Sequence, residues 1–389
     1  MQDMKKKKNV MLLVALLDQG GLERICALTA KLLSEKCNLT LVVFSTKGMI
    51  YDVSGVELVD LNLGAKPGMF RKVFTLWKRI KAIKKIKKEK QTEVTYSFGP
   101  SANLANIYSK VNDKIWVGIR GYGALEDAGA MKRLCKKADK VVCCSKVMER
   151  DVKKLFSPKD TACLYNPCDV ESIRRLAEEN MVHGECLGTD GGPIIASMGR
   201  EHDVKGFWHL LKAFALVQNE IGNARLMIIG EGNYREYKKL AEELHVQNSV
   251  IFTGVQKNPF AYLQCATVYV LTSSSEGFPN ALVEAMALGK PVVSVNCKSG
   301  PAEILTEHFE EHLKEDEIYS GEYGLLLPVM NPVKNLDSKT VEEEERILAK
   351  ELIRILNDKE CLAKMGQCAK VRSEVFSMEH YVEEIMKML

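Results

Sequence analysis

Glu276 and Glu284 stand with seven residues between them in a stretch, SSSEGFPNALVEAMALGKPVVSV (273–295), that is otherwise almost wholly apolar after its opening turn. Pro279 occupies what would be a first helical position, and Gly289 followed by Pro291 closes the run, so residues 280–288 are predicted as one short helix. Ala281, Leu282, Val283, Ala285, Met286, Ala287 and Leu288 cover every side of it, as in a helix buried all round. Glu284 is the only charged residue among them. An unpaired buried carboxylate is costly, so Glu284 needs either an Arg or backbone amide inside the fold or the hydroxyl groups of a ligand. Glu276 lies just ahead of the helix, where the backbone N–H groups of Gly277, Phe278 and Asn280 can meet a polar ligand. The two glutamates bracket a candidate ligand site.

Cations suited to a diphosphate occur upstream. Gly199-Arg200 follows an apolar run, and Lys205-Gly206-Phe207 comes soon after. Two cations beside a glycine that permits close backbone approach suit a diphosphate, although solvated loop cations have the same look. Near the N-terminus, Asp18-Gln19-Gly20-Gly21 is a glycine turn leading into a helical pattern, where helix N–H groups favour a phosphate. It is not the dinucleotide fingerprint, and Glu23 would cap that helix without any ligand. Arg120 sits in the glycine-rich stretch 118–123 after another strand-like run, a place from which a side chain can reach a crevice at strand C-terminal ends.

Glu276 and Glu284, with Gly277-Phe278-Pro279-Asn280 between them, resemble the donor-site motif of retaining glycosyltransferases of the GT-B fold, family 4. Gly20 to Arg24 is similar to the Gly-Gly-x-Glu-Arg opening of that family, and Gly199-Arg200 with Lys205-Gly206 to its Gly-Arg and Lys-Gly pair. Gly230-Glu231-Gly232 and residues 299–303 match loops that line the cleft in the family. The resemblance covers nearly the whole chain. It implies that Glu276 contacts the transferred sugar, Glu284 binds the nucleotide ribose, and the 277–280 amides hold sugar hydroxyls. Arg200 and Lys205, helped by Gly199, then hold the donor diphosphate and stabilise it as it leaves. Gly20 and Gly21 face diphosphate and acceptor, Glu231 lines the donor site, and Arg120 stands on the acceptor side, where many members carry a histidine. The donor is expected to be a UDP-sugar and the acceptor a glycan or polyprenyl-linked chain. No cofactor and no metal is expected, since neither a His/Cys/Asp cluster nor an Asp-x-Asp triplet occurs. Two rival readings are a nucleotide-sugar epimerase on the same fold and a non-enzymatic basic membrane-binding protein.

These residues need rigid elements to hold them. Strand-like and helical patterns alternate from the start, with apolar runs at 10–17, 39–44, 94–98, 115–119 and 140–144. A second series follows at 194–198, 225–230, 250–252, 267–271, 292–295 and 324–327. The expectation is an α/β, GT-B architecture of two Rossmann-like domains, with parallel sheets facing across a cleft. On that resemblance, residues 1–172 are expected to form the acceptor-side domain, 173–372 the donor domain with a polar linker at 181–193, and 373–389 a terminal helix that returns to the first domain. A length of 389 residues allows both cores.

Between Arg71 and Lys90, ten basic residues face only Glu89, while Val73, Trp77, Ile80, Ile83 and Ile86 recur at helical spacing. An interfacial helix on an anionic leaflet has this pattern, and so has a solvated outer helix. A nucleic-acid patch fits less well, because Trp77 lies in the stripe rather than among the cations. The net charge of +4 implies no general affinity for polyanions. Lys5 to Lys8 before residues 10–17 imitates a secretion signal but ends at Asp18 without a small-residue cleavage site. No apolar run approaches the ~20 residues of a membrane span. Twelve cysteines without a Cys-x-x-Cys spacing suggest a reducing cytoplasm, with the enzyme peripheral on the inner membrane face.

Overall fold

The computed structural model describes residues 7–389 apart from Gln19, residues 65–66 and 180–190, Leu313 and Glu315. The first apolar series forms β1 (Asn9–Val14), β2 (Asn38–Val43), β3 (Glu57–Asp60), β4 (Val94–Phe98), β5 (Lys114–Ile119), β6 (Lys140–Cys143) and β7 (Thr161–Cys163). They make one parallel sheet in the order β3-β2-β1-β4-β5-β6-β7. Both faces of β1 are covered: Val10, Leu12 and Val14 belong to one apolar cluster, Met11 and Leu13 to the other. Burial on both sides is why such strands read as unbroken apolar runs.

Around this sheet lie α1 (Gly21–Lys36), α2 (Met69–Glu89), α3 (Pro100–Tyr108), α4 (Ala128–Lys137) and α5 (Lys146–Phe156). The second unit holds α6 (Val170–Glu179), β8 (Ile194–Met198), α7 (Phe207–Glu220), β9 (Arg225–Ile229), α8 (Arg235–Glu243), β10 (Val250–Gly254) and α9 (Pro259–Leu263). It continues through β11 (Val268–Leu271), α10 (Asn280–Ala287), β12 (Val292–Val295), α11 (Pro301–Leu305), β13 (Tyr319–Ser320) and β14 (Leu325–Leu327). Helices α12 (Glu343–Leu356) and α13 (Lys359–Ser373) complete it, and α14 (Met378–Met388) ends the chain. The second sheet runs β10-β9-β8-β11-β12-β14-β13, parallel except for the β13–β14 pair.

The division between units differs by five residues from the expected boundaries. It falls after Pro167 rather than residue 172, and after Ser377 rather than residue 372. Helix α6, which a break at 172 would cut, packs on α9 and α10, and the Cys168 N–H donates to the Phe376 carbonyl at 2.7 Å. Helix α14 belongs to the first unit, where Tyr381 and Ile385 are buried and the Tyr381 hydroxyl lies 2.8 Å from Thr29 Oγ1. Of the expected linker, residues 181–190 lie outside the described residues.

The apolar stripe expected in residues 71–90 is split between core and surface, with Val73 and Trp77 exposed and Ile83 buried. In α2, Ile83 is buried, and so is Lys87, whose ammonium sits 2.8 Å from Asp113 and 2.9 Å from Asn106 Oδ1. Burial lowers the Lys87 pKa to about 8 against the opposing pull of Asp113. Arg79 turns inward as well, donating to the Leu63 carbonyl and lying 4.1 Å over the Phe44 ring. Among the described residues no helix is long and apolar enough to cross a membrane.

Candidate functional site

In the second sheet the strand order reverses between β8 and β11, which are neighbours though not consecutive. Such a switch point opens a crevice beyond the strand C-termini, where doubly wound sheets bind ligands. The loops leaving these two strands carry Gly199, Arg200 and Lys205 on one side and Glu276 on the other. Lys205 Nζ donates to Glu276 Oε1 at 2.7 Å across the gap.

The backbone fastens one loop to the other. Thr272 Oγ1 donates to the Lys205 carbonyl at 2.9 Å, and the Ser274 N–H to the Val204 carbonyl at 2.9 Å. Gly206 holds a φ of +62°, and a Cβ there would lie 2.5 Å from the Thr272 carbonyl oxygen. Only glycine allows that approach. Lys205 extends its stem over Gly199, whose added Cβ would lie 3.1 Å from Lys205 Cε. Behind Gly199 stands Gly230, with φ +143° and a virtual Cβ 2.1 Å from the Gly199 carbonyl oxygen. Glu231 contributes its backbone here, its carbonyl accepting from the Glu201 N–H at 2.6 Å while its side chain is exposed.

Helix α10 is buried from Leu282 to Ala287, Glu284 included at 4% exposure. Glu284 is not without a partner. Ser299 Oγ donates to the Gly277 carbonyl at 2.9 Å, and Gly300, at φ +99°, passes so close to Pro279 that a Cβ would meet its Cδ at 2.5 Å. Phe278 is buried edge-on against Phe376. The 277–280 turn is therefore held in place from below. Burial holds the Tyr269 phenol on β11 well above its usual range, and the fields of Glu276 and then Glu284 add to it. Burial likewise pushes up the Cys297 thiol, with Glu276 raising it further and Lys205 opposing. Glu276, Glu284 and Lys205 thus act on one locality.

Residues 187–317 match the family model described as glycosyl transferases group 1. The matched segment contains the Lys205–Glu276 contact and all of α10. An uncharacterized glycosyltransferase of Methanocaldococcus jannaschii is 31% identical over 243 residues, covering 61% of this chain and 59% of its own length. A Campylobacter jejuni enzyme named for 4-α-N-acetylgalactosaminyl transfer to a diphospho-undecaprenol-linked sugar is 28% identical, over 58% of this chain and 57% of its own. The chain thus spans under two thirds of the length of these two relatives. Among solved structures, HepE of Anabaena in complex with UDP and glucose superposes with a TM-score of 0.74 at 17% identity, covering 98% of this chain and 99% of that one. Sucrose-phosphate synthase of Thermosynechococcus elongatus gives 0.75 at 17% identity over 98% of each. The fold is GT-B.

Arg200 is exposed, and no hydrogen bond from its side chain is seen among the described residues. In the first unit Gly20 caps α1 in extended conformation and exchanges hydrogen bonds with the Tyr51 hydroxyl, while the Glu23 carboxylate folds back over it. Gly21 is the first residue of α1. Arg120 turns into its own unit: it donates to Asn166 Oδ1 at 2.7 Å and to the Tyr96 hydroxyl, and covers the Phe98 ring at 5.3 Å. These contacts tie the end of β5 to the chain after β7.

Periodicity could not reveal Glu201, whose Oε2 accepts from the Asn233 and Tyr234 N–H groups at 2.8 and 2.9 Å and so braces the 230–234 loop. It also missed His209, buried on α7, which lies 2.7 Å from Glu345 of α12 through Nδ1 and donates to the Asn331 carbonyl through Nε2 at 2.9 Å. With Glu342 these two form the one cluster of three metal-capable side chains among the described residues. Both imidazole nitrogens are committed to protein partners, so the cluster reads as a tie between α7 and α12.

Proposed function

We propose that the protein is a retaining glycosyltransferase of family 4 that moves a hexose or HexNAc from a UDP-sugar to a glycan or lipid-linked acceptor in polysaccharide or glycolipid assembly. The observation that carries this reading is the Lys205–Glu276 contact at the switch point of the second sheet, with Glu284 buried on the following helix. A cation and a carboxylate 2.7 Å apart can engage neighbouring parts of one ligand, the ammonium a phosphate and the carboxylate a sugar hydroxyl.

Lys205 and Arg200 stabilise the charge that develops on the departing diphosphate, a preorganised effect worth roughly 3–4 kcal/mol per well-placed donor. Glu276 and the amides of Gly277, Phe278, Pro279 and Asn280's turn orient the sugar, with Pro279 shaping the turn rather than donating. Glu284 takes the ribose diol. Gly199 and the Gly230-Glu231 backbone let the diphosphate approach, and Gly20 and Gly21 are assigned to diphosphate and acceptor on the strength of the family resemblance. With cations in that role the transfer is metal-independent. The two glutamates serve binding and are not the flanking acid and base of a glycosidase. The diphospho-undecaprenol substrate in the relative's name supports a lipid-linked acceptor and a peripheral position on the cytoplasmic membrane face.

Proton NMR of a panel of α-linked UDP-hexoses and UDP-HexNAcs, with and without a polyprenyl-diphosphate-linked glycan, tests this. The expected outcome is an α-linked product and free UDP only when acceptor is present. A β-linked product overturns retention, and conversion of the donor sugar without acceptor favours an epimerase.

A further inference from the structure

We propose that the first turns of α2 form an apolar wedge that inserts into an anionic lipid bilayer, with the lysines farther along the same helix meeting the headgroups. Met69, Phe70, Val73, Phe74 and Trp77 are exposed at 81%, 93%, 64%, 56% and 55%. At helical spacing they share one outward side over about two turns. Large apolar side chains are normally scattered singly on a surface, and a cluster of five marks a contact surface. Met69, Phe70 and Phe74 lie outside the stripe that sequence periodicity picks out.

The helix cannot roll to hide them. Arg79 is fixed on the Leu63 carbonyl, Ile83 in the core and Lys87 on Asp113, farther along the same helix. Beyond Trp77 the outward side turns cationic, with Lys78, Lys81, Lys84, Lys85 and Lys88 exposed, and no acidic residue occurs between Met69 and Lys88. Lys78 Nζ lies 4.6 Å from the centroid of Phe74 and Lys81 Nζ 5.5 Å from that of Trp77, while Phe74 and Trp77 stack on each other. An aromatic tip followed by lysines is complementary to an acyl boundary beneath anionic headgroups. A second copy of the same surface would set lysine against lysine, which disfavours symmetric self-association. The wedge deepens the proposed membrane position and rests on it for its biological purpose.

Trp77 supplies the probe, because the other two tryptophans, Trp116 and Trp208, are 3% and 1% exposed. The full chain is mixed with vesicles of phosphatidylcholine alone or with phosphatidylglycerol, carrying brominated acyl chains. The expected result is a blue shift and acyl-chain quenching of tryptophan emission on the anionic vesicles. Phe70→Ser with Phe74→Ser should weaken partitioning by at least roughly tenfold and abolish the quenching. Vesicle binding without quenching, unchanged in that double variant, overturns the wedge and leaves attachment to the lysines alone. Absence of binding to either vesicle overturns it too, as does concentration-dependent self-association or capture of a soluble acidic partner that the double variant abolishes. UDP binding is measured alongside: its loss in the wild type strikes the glycosyltransferase reading and leaves the wedge standing, whereas failed quenching with UDP binding intact strikes the wedge alone.

Discussion

Glu284 and Lys205 carry the residue-scale argument because each has a measurable consequence distinct from folding. Glu284→Gln preserves shape but would remove the proposed charge-assisted hydrogen bonds to a ribose diol, so UDP-sugar affinity should fall by roughly 1.5–3 kcal/mol with the fold retained. Calorimetric titration alongside far-UV dichroism checks this, and unchanged affinity in a folded variant removes Glu284 from the donor site. Arg200→Ala and Lys205→Ala should lower kcat/KM by more than they weaken UMP binding, since their charge matters most when the diphosphate departs. Equal losses would indicate ground-state binding only. Arg200, exposed and free of observed internal bonds, should lose turnover without losing stability, whereas Lys205→Ala also leaves Glu276 without its cation.

At the scale of elements, the candidate site depends on backbones that approach too closely for any side chain. Gly230→Ala would drive a Cβ to 2.1 Å from the Gly199 carbonyl oxygen at a φ of +143°. It should destabilise the second unit by about 2 kcal/mol or more and lower donor affinity with it, read from thermal unfolding with and without UDP. In the first unit the comparable element is the Lys87–Asp113 pair that pins α2 against the chain near β5, joined by Thr95 Oγ1 at 2.6 Å from Asp113. Lys87→Met leaves that carboxylate buried beside neutral donors only and should cost about 3–5 kcal/mol. The double variant Lys87→Met with Asp113→Leu should recover much of the loss in urea unfolding, and a double loss equal to the sum of the singles would mean the two residues are not coupled.

For the whole molecule, two units with separate apolar cores should make the proposed nucleotide binding and the proposed membrane attachment separable. Charge reversal at Lys78, Lys81, Lys85 and Lys88, all exposed in the first unit, should release the protein from anionic vesicles in flotation. UDP should still stabilise the variant, by about 2.7 kcal/mol at 100 times its Kd. Loss of the UDP effect in that variant would show that the two properties are coupled after all.

The sequence by itself determined which runs become strands and the place of the buried helix with Glu284. Strands covered on both faces and a helix covered all round leave continuous apolar signatures that do not depend on partners. Edge strands such as β3, β7 and β13 left no comparable trace, since none of their residues is fully buried and no continuous apolar run results. Only the tertiary structure decided that Lys205 meets Glu276, that Arg120 is taken up by Tyr96 and Asn166, and that α2 splits into a buried side and an exposed tip. Each outcome depends on contacts between residues distant in the chain. Helical periodicity reports that a face is apolar, but what lies opposite that face settles whether it is core or surface.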